Sequence, residues 1–330
     1  MQRFFLLILS LAFAAQVYAQ RTAGLTHQRD TSFTTYSAYK SALKKYPDIR
    51  IVKDTVIPSV RIEKDNIYFN SMQHPLPMPV FSPRLVQGKK YPAIIIIHGG
   101  GWRSGSPSQH YPLAERLAAK GYVCFTPAYR LSTDALYPAA VQDLKAAIRW
   151  IRTRARKYAV DTNRIAVLGF SAGGQLAALL GTTGQDSIFS GGNRGLAKFG
   201  APVQAIIDID GILAFIHPES GEGDDTKSIS AATNWFGYSK TERPDLWKQA
   251  SALTYAGPHT PPTLFINSSI DRMHAGRQDY IDTLTKYHIY TDVHSFPDAP
   301  HPFCLFEPWF TPTVDYIVGF LDKVFERRRY

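Results

Sequence analysis

The sequence predicts an α/β domain, a mostly parallel, twisted sheet with helices on both faces and a short lid insertion. Two observations carry this. From Tyr91 onward, short segments that are apolar throughout alternate with amphipathic stretches of helical period, and a continuously apolar strand belongs to a sheet buried on both faces. Strand and helix also follow one another in turn, which is the order of parallel crossover units. The composition fits such a domain: 45% of the 330 residues are hydrophobic and 19% charged, which excludes a disordered or fibrous chain.

In chain order, Met1-Gln2-Arg3 precedes an apolar run from Phe4 to Ala15 and then Val17-Tyr18-Ala19. Charge, apolar core and a small-x-small site predict a signal peptide over 1–19, cleaved after Ala19, and a secreted or periplasmic protein. The run is shorter than the roughly 20 residues needed to span a bilayer, so no membrane span is expected. Residues 20–90 read as an N-terminal extension with edge strands. It has helical spacing over Ser37 to Tyr46, then extended segments and turns over Ile49 to Ile57, Arg61 to Phe69 and Pro75 to Pro83.

Residues 91–330 read as one compact domain, because no linker composition divides them. Its strands are expected over Ala93 to Ile97, Val123 to Ala128, Ile165 to Leu168, Val203 to Ile209, Thr263 to Asn267 and Tyr290 to Phe296. The helices are expected over Gln109 to Lys120, Ala139 to Tyr158, Ala172 to Gly181, Ala275 to Tyr287 and Thr311 to Arg327. The stretch 211–262 breaks this rhythm and carries Gly221-Glu222-Gly223-Asp224-Asp225, Trp235, Phe236 and Trp247. It reads as an excursion over the sheet, either a lid or a surface loop.

Cys124 and Cys304, the only cysteines, exclude a disulfide scaffold and read as packing residues in apolar stretches, with a pairing between them left open. No Cys and His spacing resembles a zinc site, so no metal is expected. The formal charge of +10 suggests an acidic partner, and an exported protein is not expected to work on nucleic acid. Arg327-Arg328-Arg329 reads as a solvated tail.

Gly169-Phe170-Ser171-Ala172-Gly173 lies directly after an apolar strand and directly before a helix. A G-x-S-x-G in that setting makes a tight strand-to-helix turn that exposes the serine oxygen, with glycines where neighbouring backbone passes close. Upstream, a strand runs into His98-Gly99-Gly100-Gly101-Trp102. A glycine loop bares amides, which acyl transfer needs for the negative oxygen of its tetrahedral intermediate. The oxyanion hole is therefore assigned to Gly100 or Gly101 together with Ala172. A phosphate nest is the competing reading of the glycines, disfavoured because no Lys-Ser/Thr follows them.

A serine nucleophile needs a base and the base needs an orienting acid. Asp271, just past the strand Thr263 to Asn267, and His301, after the last strand, supply the order Ser171, Asp271, His301. Asp279 and Asp298 remain competitors for the acid, although one falls in a helix and the other is only three residues from His301. His274 is the competitor for the base.

His98 to Trp102, Pro127-Ala128-Tyr129-Arg130-Leu131, Tyr137-Pro138-Ala139-Ala140 with Asp143, and Gly169 to Gly174 resemble the secreted carbohydrate esterases of the α/β-hydrolase fold. These include acetylxylan, feruloyl and pectin esterases. The resemblance runs from Tyr91 to the C-terminus. It implies a serine esterase with a two-step acyl-transfer mechanism through Ser171, His301 and Asp271, and no cofactor.

The substrate expected is an ester substituent, acetyl foremost, on plant cell-wall polysaccharide, with pectin ahead of xylan. Uronate carboxylates suit the arginines Arg103, Arg272 and Arg277, since guanidinium grips carboxylate in a bidentate fork. Trp102 is the indole expected to meet a sugar face. Pectin methylesterase and feruloyl esterase are the near alternatives, and a non-catalytic carbohydrate-binding protein is the alternative from another class.

Overall fold

The computed structural model describes residues 19–70, 75–184, 187–189 and 200–326. The expected leader, Ala19 apart, and the arginine tail at 327–329 lie outside the described residues. At the centre is an eight-stranded sheet. Its strands are β1 (Val60–Glu63), β2 (Val80–Pro83), β3 (Tyr91–Ile97), β4 (Val123–Phe125), β5 (Val160–Phe170), β6 (Ala205–Ile209), β7 (Thr263–Asn267) and β8 (Thr291–Ser295). They lie side by side as β8-β7-β6-β5-β3-β4-β2-β1. Strands β3 to β8 are parallel, and β2 is antiparallel to both its neighbours.

Among the described residues eight α-helices accompany the sheet: α1 (Thr35–Ala42), α2 (Tyr111–Ala119), α3 (Ala139–Thr153), α4 (Ala172–Thr182), α5 (Ala231–Phe236), α6 (Pro244–Gln249), α7 (Arg277–Lys286) and α8 (Phe310–Glu326). The apolar run of β3 explains how they divide. Ala93, Ile95 and Ile97 point to one face, into a core shared with Leu144 of α3, Leu176 of α4 and Tyr280 of α7. Ile94 and Ile96 point to the other, under Leu113 and Leu117 of α2 and Ile317 and Leu321 of α8. Each such burial contributes roughly 1.5–3 kcal/mol, so the strand ends that carry the site are held by both layers.

All six expected strands form. Residues 20–90 do more than ornament the domain, because β1 and β2 extend the same sheet. The segment Arg61 to Phe69 splits into β1 and a separate strand, Ile67–Asn70, that pairs with Pro75–Pro77. Of Ile49 to Ile57, only Arg50–Ile51 is paired, with Phe306–Glu307.

The insertion 211–262 is neither floppy nor polar at its centre. Trp235, Phe236 and Trp247 are fully buried, with Phe236 and Trp247 ring centroids 4.5 Å apart, so α5 and α6 form a packed cap at one edge of the cleft. Cys124 and Cys304 are buried and unpaired. Among the described residues, no helix is long and apolar enough to cross a membrane.

Candidate active site

Ser171 stands between the end of β5 and the start of α4, with φ 57° and ψ −123°. An L-residue holds such a conformation only where its surroundings over-determine it. Here the Ser171 amide donates to the carbonyl of Ile209 at 2.8 Å, tying the turn to β6. Glycine is obligatory on both sides: a Cβ on Gly169 would sit 1.9 Å from the Gly173 carbonyl oxygen, and one on Gly173 would sit 2.2 Å from that of Ile97. The serine oxygen is thereby raised above the carboxyl ends of the strands, where parallel sheets place their sites.

His301 lies in the loop after β8. Its Nε2 is 2.8 Å from Ser171 Oγ, and its Nδ1 is 2.8 Å from Asp210 Oδ2. The carboxylate behind His301 is thus Asp210, and the expectation of Asp271 is corrected. Asp210 directly follows β6 in a left-handed conformation, φ 51°, which aspartate tolerates better than most residues. That turn sends its side chain beneath His301. Asp271 lies one strand further out, exposed in a single 3-10 turn, Asp271–His274, and makes no hydrogen bond or ion pair with His301. Asp279 instead faces His217 at 3.3 Å, and Asp298 is exposed.

Asp210 is fully buried. Its Oδ1 accepts the Ser268 amide at 2.7 Å, and His274 Nε2 lies 3.4 Å away. Burial acts to raise its carboxyl, but His274, His301 and the Ser268 contact outweigh it and hold the group down at about 2. His274, the competitor for the base, sits beside the acid and does not reach the serine. Two residues upstream, burial drives the carboxyl of Asp208 well upward, its Gly211 contact notwithstanding.

A cavity of about 180 Å³ opens over Ser171. Gly101 and Ala172 line it, and among the described residues neither amide donates to a backbone carbonyl. Gly100 holds the preceding bend at φ 125°, with its carbonyl accepting the Ser104 amide at 2.9 Å. The glycine loop and the elbow therefore each leave a backbone amide without a backbone partner at the cavity wall.

The four expected substrate contacts divide. Trp102 lines the cavity, but its ring stacks on Trp235 at 5.0 Å and its indole N–H donates to Gln175 Oε1 at 2.9 Å. It is a wall, and no open platform for a sugar. Arg103 is taken by Asp30, 2.8 Å away, and Arg277 by the side-chain carbonyl of Asn267; neither lines the cavity. Arg272 does. Sequence reasoning missed Asp210 and Glu222, which also lines the cavity. The available signal was an aspartate followed by glycine at the carboxyl end of a short, mostly apolar strand.

The family model BD-FAE matches residues 78–279, from just before β2 into α7. The chain belongs to the BD-FAE family. The matched region contains the glycine loop, Ser171 and Asp210 and stops short of His301. This BD-FAE chain is 29% identical to esterase LipC of Mycobacterium tuberculosis, over 73% of its own length and 60% of that relative's. It is 33% identical to carboxylesterase NlhH of the same organism over 40% and 41%. It therefore spans less than two thirds of these curated relatives.

Among solved structures, a truncated carbohydrate esterase from gut microbiota superposes with TM-score 0.64 at 23% identity, covering 82% of this chain and 99% of that one. Butyrate-bound esterase Est2 of the planctomycete Thermogutta terrifontis gives 0.66 at 22%, covering 83% and 98%. The BD-FAE chain has the α/β-hydrolase fold.

Proposed function

We propose that the protein is a secreted serine esterase that removes acetyl groups from plant cell-wall polysaccharide. The observation that carries this reading is the hydrogen-bonded line Ser171 Oγ, His301 and Asp210, with both links at 2.8 Å. Ser171 Oγ attacks the ester carbonyl while its proton passes to His301 Nε2. The oxyanion takes the amides of Ala172 and of Gly100 or Gly101, where one donor is worth roughly 10²–10³ in rate. The intermediate then expels the alcohol, which takes the proton from His301. Water repeats the sequence on the acyl-enzyme, giving its proton to Nε2 and releasing acetate and free Ser171. Asp210 holds the Nδ1–H tautomer and balances the transient imidazolium.

A short acyl group suits the cavity. Its volume of about 180 Å³ lies below the roughly 300–1,000 Å³ typical of drug-sized ligands, and Trp102, Ile212 and Met273 close it. That argues for acetyl over feruloyl. The polymer preference moves with the arginines: two of the three offered to uronates are engaged elsewhere, and Arg272 faces Glu222. The reading therefore favours an uncharged backbone such as xylan over pectin, and export rests on the leader expected over 1–19.

The test is NMR of products released from acetylated xylan and from acetylated, methylated pectin by the wild type and Ser171→Ala. Acetate from the wild type alone is expected. Methanol without acetate would replace this reading with methylesterase, and no turnover of any ester would leave a carbohydrate-binding role.

A further inference from the structure

The cavity over Ser171 has an apolar wall and a charged one. The charged wall is made by Glu222, from the insertion, and Arg272, from the loop after β7. Their closest approach, Oε1 to Nη1, is 3.6 Å, longer than the roughly 2.7–2.9 Å of a charge-assisted hydrogen bond. The contrast with Arg130 and Asp143 is instructive: there the guanidinium closes to 2.7 and 2.9 Å on both oxygens, a saturated structural pair. Glu222 and Arg272 face each other without satisfying each other.

Glu222 is also held in place. Its carbonyl accepts Lys240 Nζ at 3.2 Å and its amide donates to Ser220 Oγ at 3.3 Å, while Gly223 packs against buried Trp247. Its side chain is only 16% exposed, yet among the described residues no hydrogen bond reaches its carboxylate. Burial pushes that carboxyl upward in spite of Arg272, His301 and Lys240 nearby. Its carboxylate lines the cavity, so a fixed acceptor with no hydrogen-bonding donor from the protein stands beside the nucleophile, available to a donor on a ligand.

We infer that Glu222 and Arg272 form the alcohol-side subsite and read a free hydroxyl neighbouring the esterified carbon of an uncharged sugar. This rests on the esterase reading above. A carboxylate only accepts and a guanidinium only donates. One hydroxyl of the sugar can give its proton to Glu222 while an adjacent oxygen accepts from Arg272. An alkyl alcohol offers neither contact, and a uronate would set its own carboxylate against Glu222.

The experiment compares kcat/KM for three acetates: p-nitrophenyl acetate, methyl 2-O-acetyl-β-xyloside, and the same xyloside with its 3-hydroxyl methylated. The wild type is expected to favour the free hydroxyl over the blocked one by about 10- to 100-fold, the range for a hydrogen bond to a charged group. Glu222→Ala and Arg272→Met are each expected to bring that ratio near one. Turnover of p-nitrophenyl acetate with no discrimination by the wild type, or with the ratio unchanged in both variants, would overturn the subsite and leave the esterase standing. Hydrolysis of none of the three would overturn both. The wild-type ratio decides the matter even if a variant fails to fold.

Discussion

Asp210 and His301 meet at 2.8 Å across the carboxyl ends of β6 and β8, with the carboxylate fully buried and the imidazole facing the cavity. Because the folded carboxyl is held at about 2 against about 3.9 in an unfolded chain, the unfolded state binds the proton first. The stabilisation is complete above about pH 4 and is lost as pH falls toward 2. Thermal unfolding of the wild type should therefore steepen over that interval relative to Asp210→Asn, as a series of calorimetric scans would show. Parallel curves would place the ionic contribution elsewhere.

His98 and His110 titrate in the opposite setting, buried without a counter-charge. Burial lowers them to about 4 and about 3, below the ordinary 6.5. The unfolded chain again takes up the protons first, so stability should fall as pH drops from about 6.5 toward 4. Neither ring nitrogen of His110 has a partner among the described residues. His110→Phe should flatten the pH dependence and cost no stability at pH 7, which urea titrations at both pH values would reveal.

The elbow tolerates no side chain at Gly173. A methyl there meets the Ile97 carbonyl oxygen at 2.2 Å, and β3 cannot retreat because both its faces are packed. Gly173→Ala should lose about 1–3 kcal/mol of stability, measured by urea unfolding. A variant as stable as the wild type would mean that the turn relaxes more easily than its packing implies.

Arg103 lies beside the glycine loop in sequence but is paired with Asp30. That pair is partly exposed, and pairs of this kind contribute about 0–1 kcal/mol. Arg103→Ala should accordingly leave KM for small acetates within about twofold. A large rise in KM would return Arg103 to the substrate.

The elbow, the glycine loop and His301 were legible because local rules fix them: a motif at a strand-to-helix junction, bare amides after a strand, and a histidine past the last strand. The acid was not legible. Ser171, Asp210 and His301 meet through the lateral order of β5, β6 and β8, and chain order alone does not reveal which strand-end carboxylate turns inward. Asp210 falls at the single position between the expected strand Val203 to Ile209 and the excursion from 211, whereas Asp271 occupied the expected loop. Arg103 and Arg277 failed for a related reason, since Asp30 and Asn267 are remote or buried partners that no spacing announces, whereas Arg272 lines the cavity. The edge strands of 20–90 were visible, but their membership of the central sheet depended on pairing with β4.

The most direct test is the rate of p-nitrophenyl acetate hydrolysis by Ser171→Ala, Asp210→Asn and Asp271→Asn beside the wild type. The geometry predicts that the first two fall by roughly 10³–10⁴ or more while Asp271→Asn stays within about threefold. An Asp271→Asn enzyme as crippled as Asp210→Asn, or a Ser171→Ala protein that keeps its rate, would contradict the line from Ser171 through His301 to Asp210.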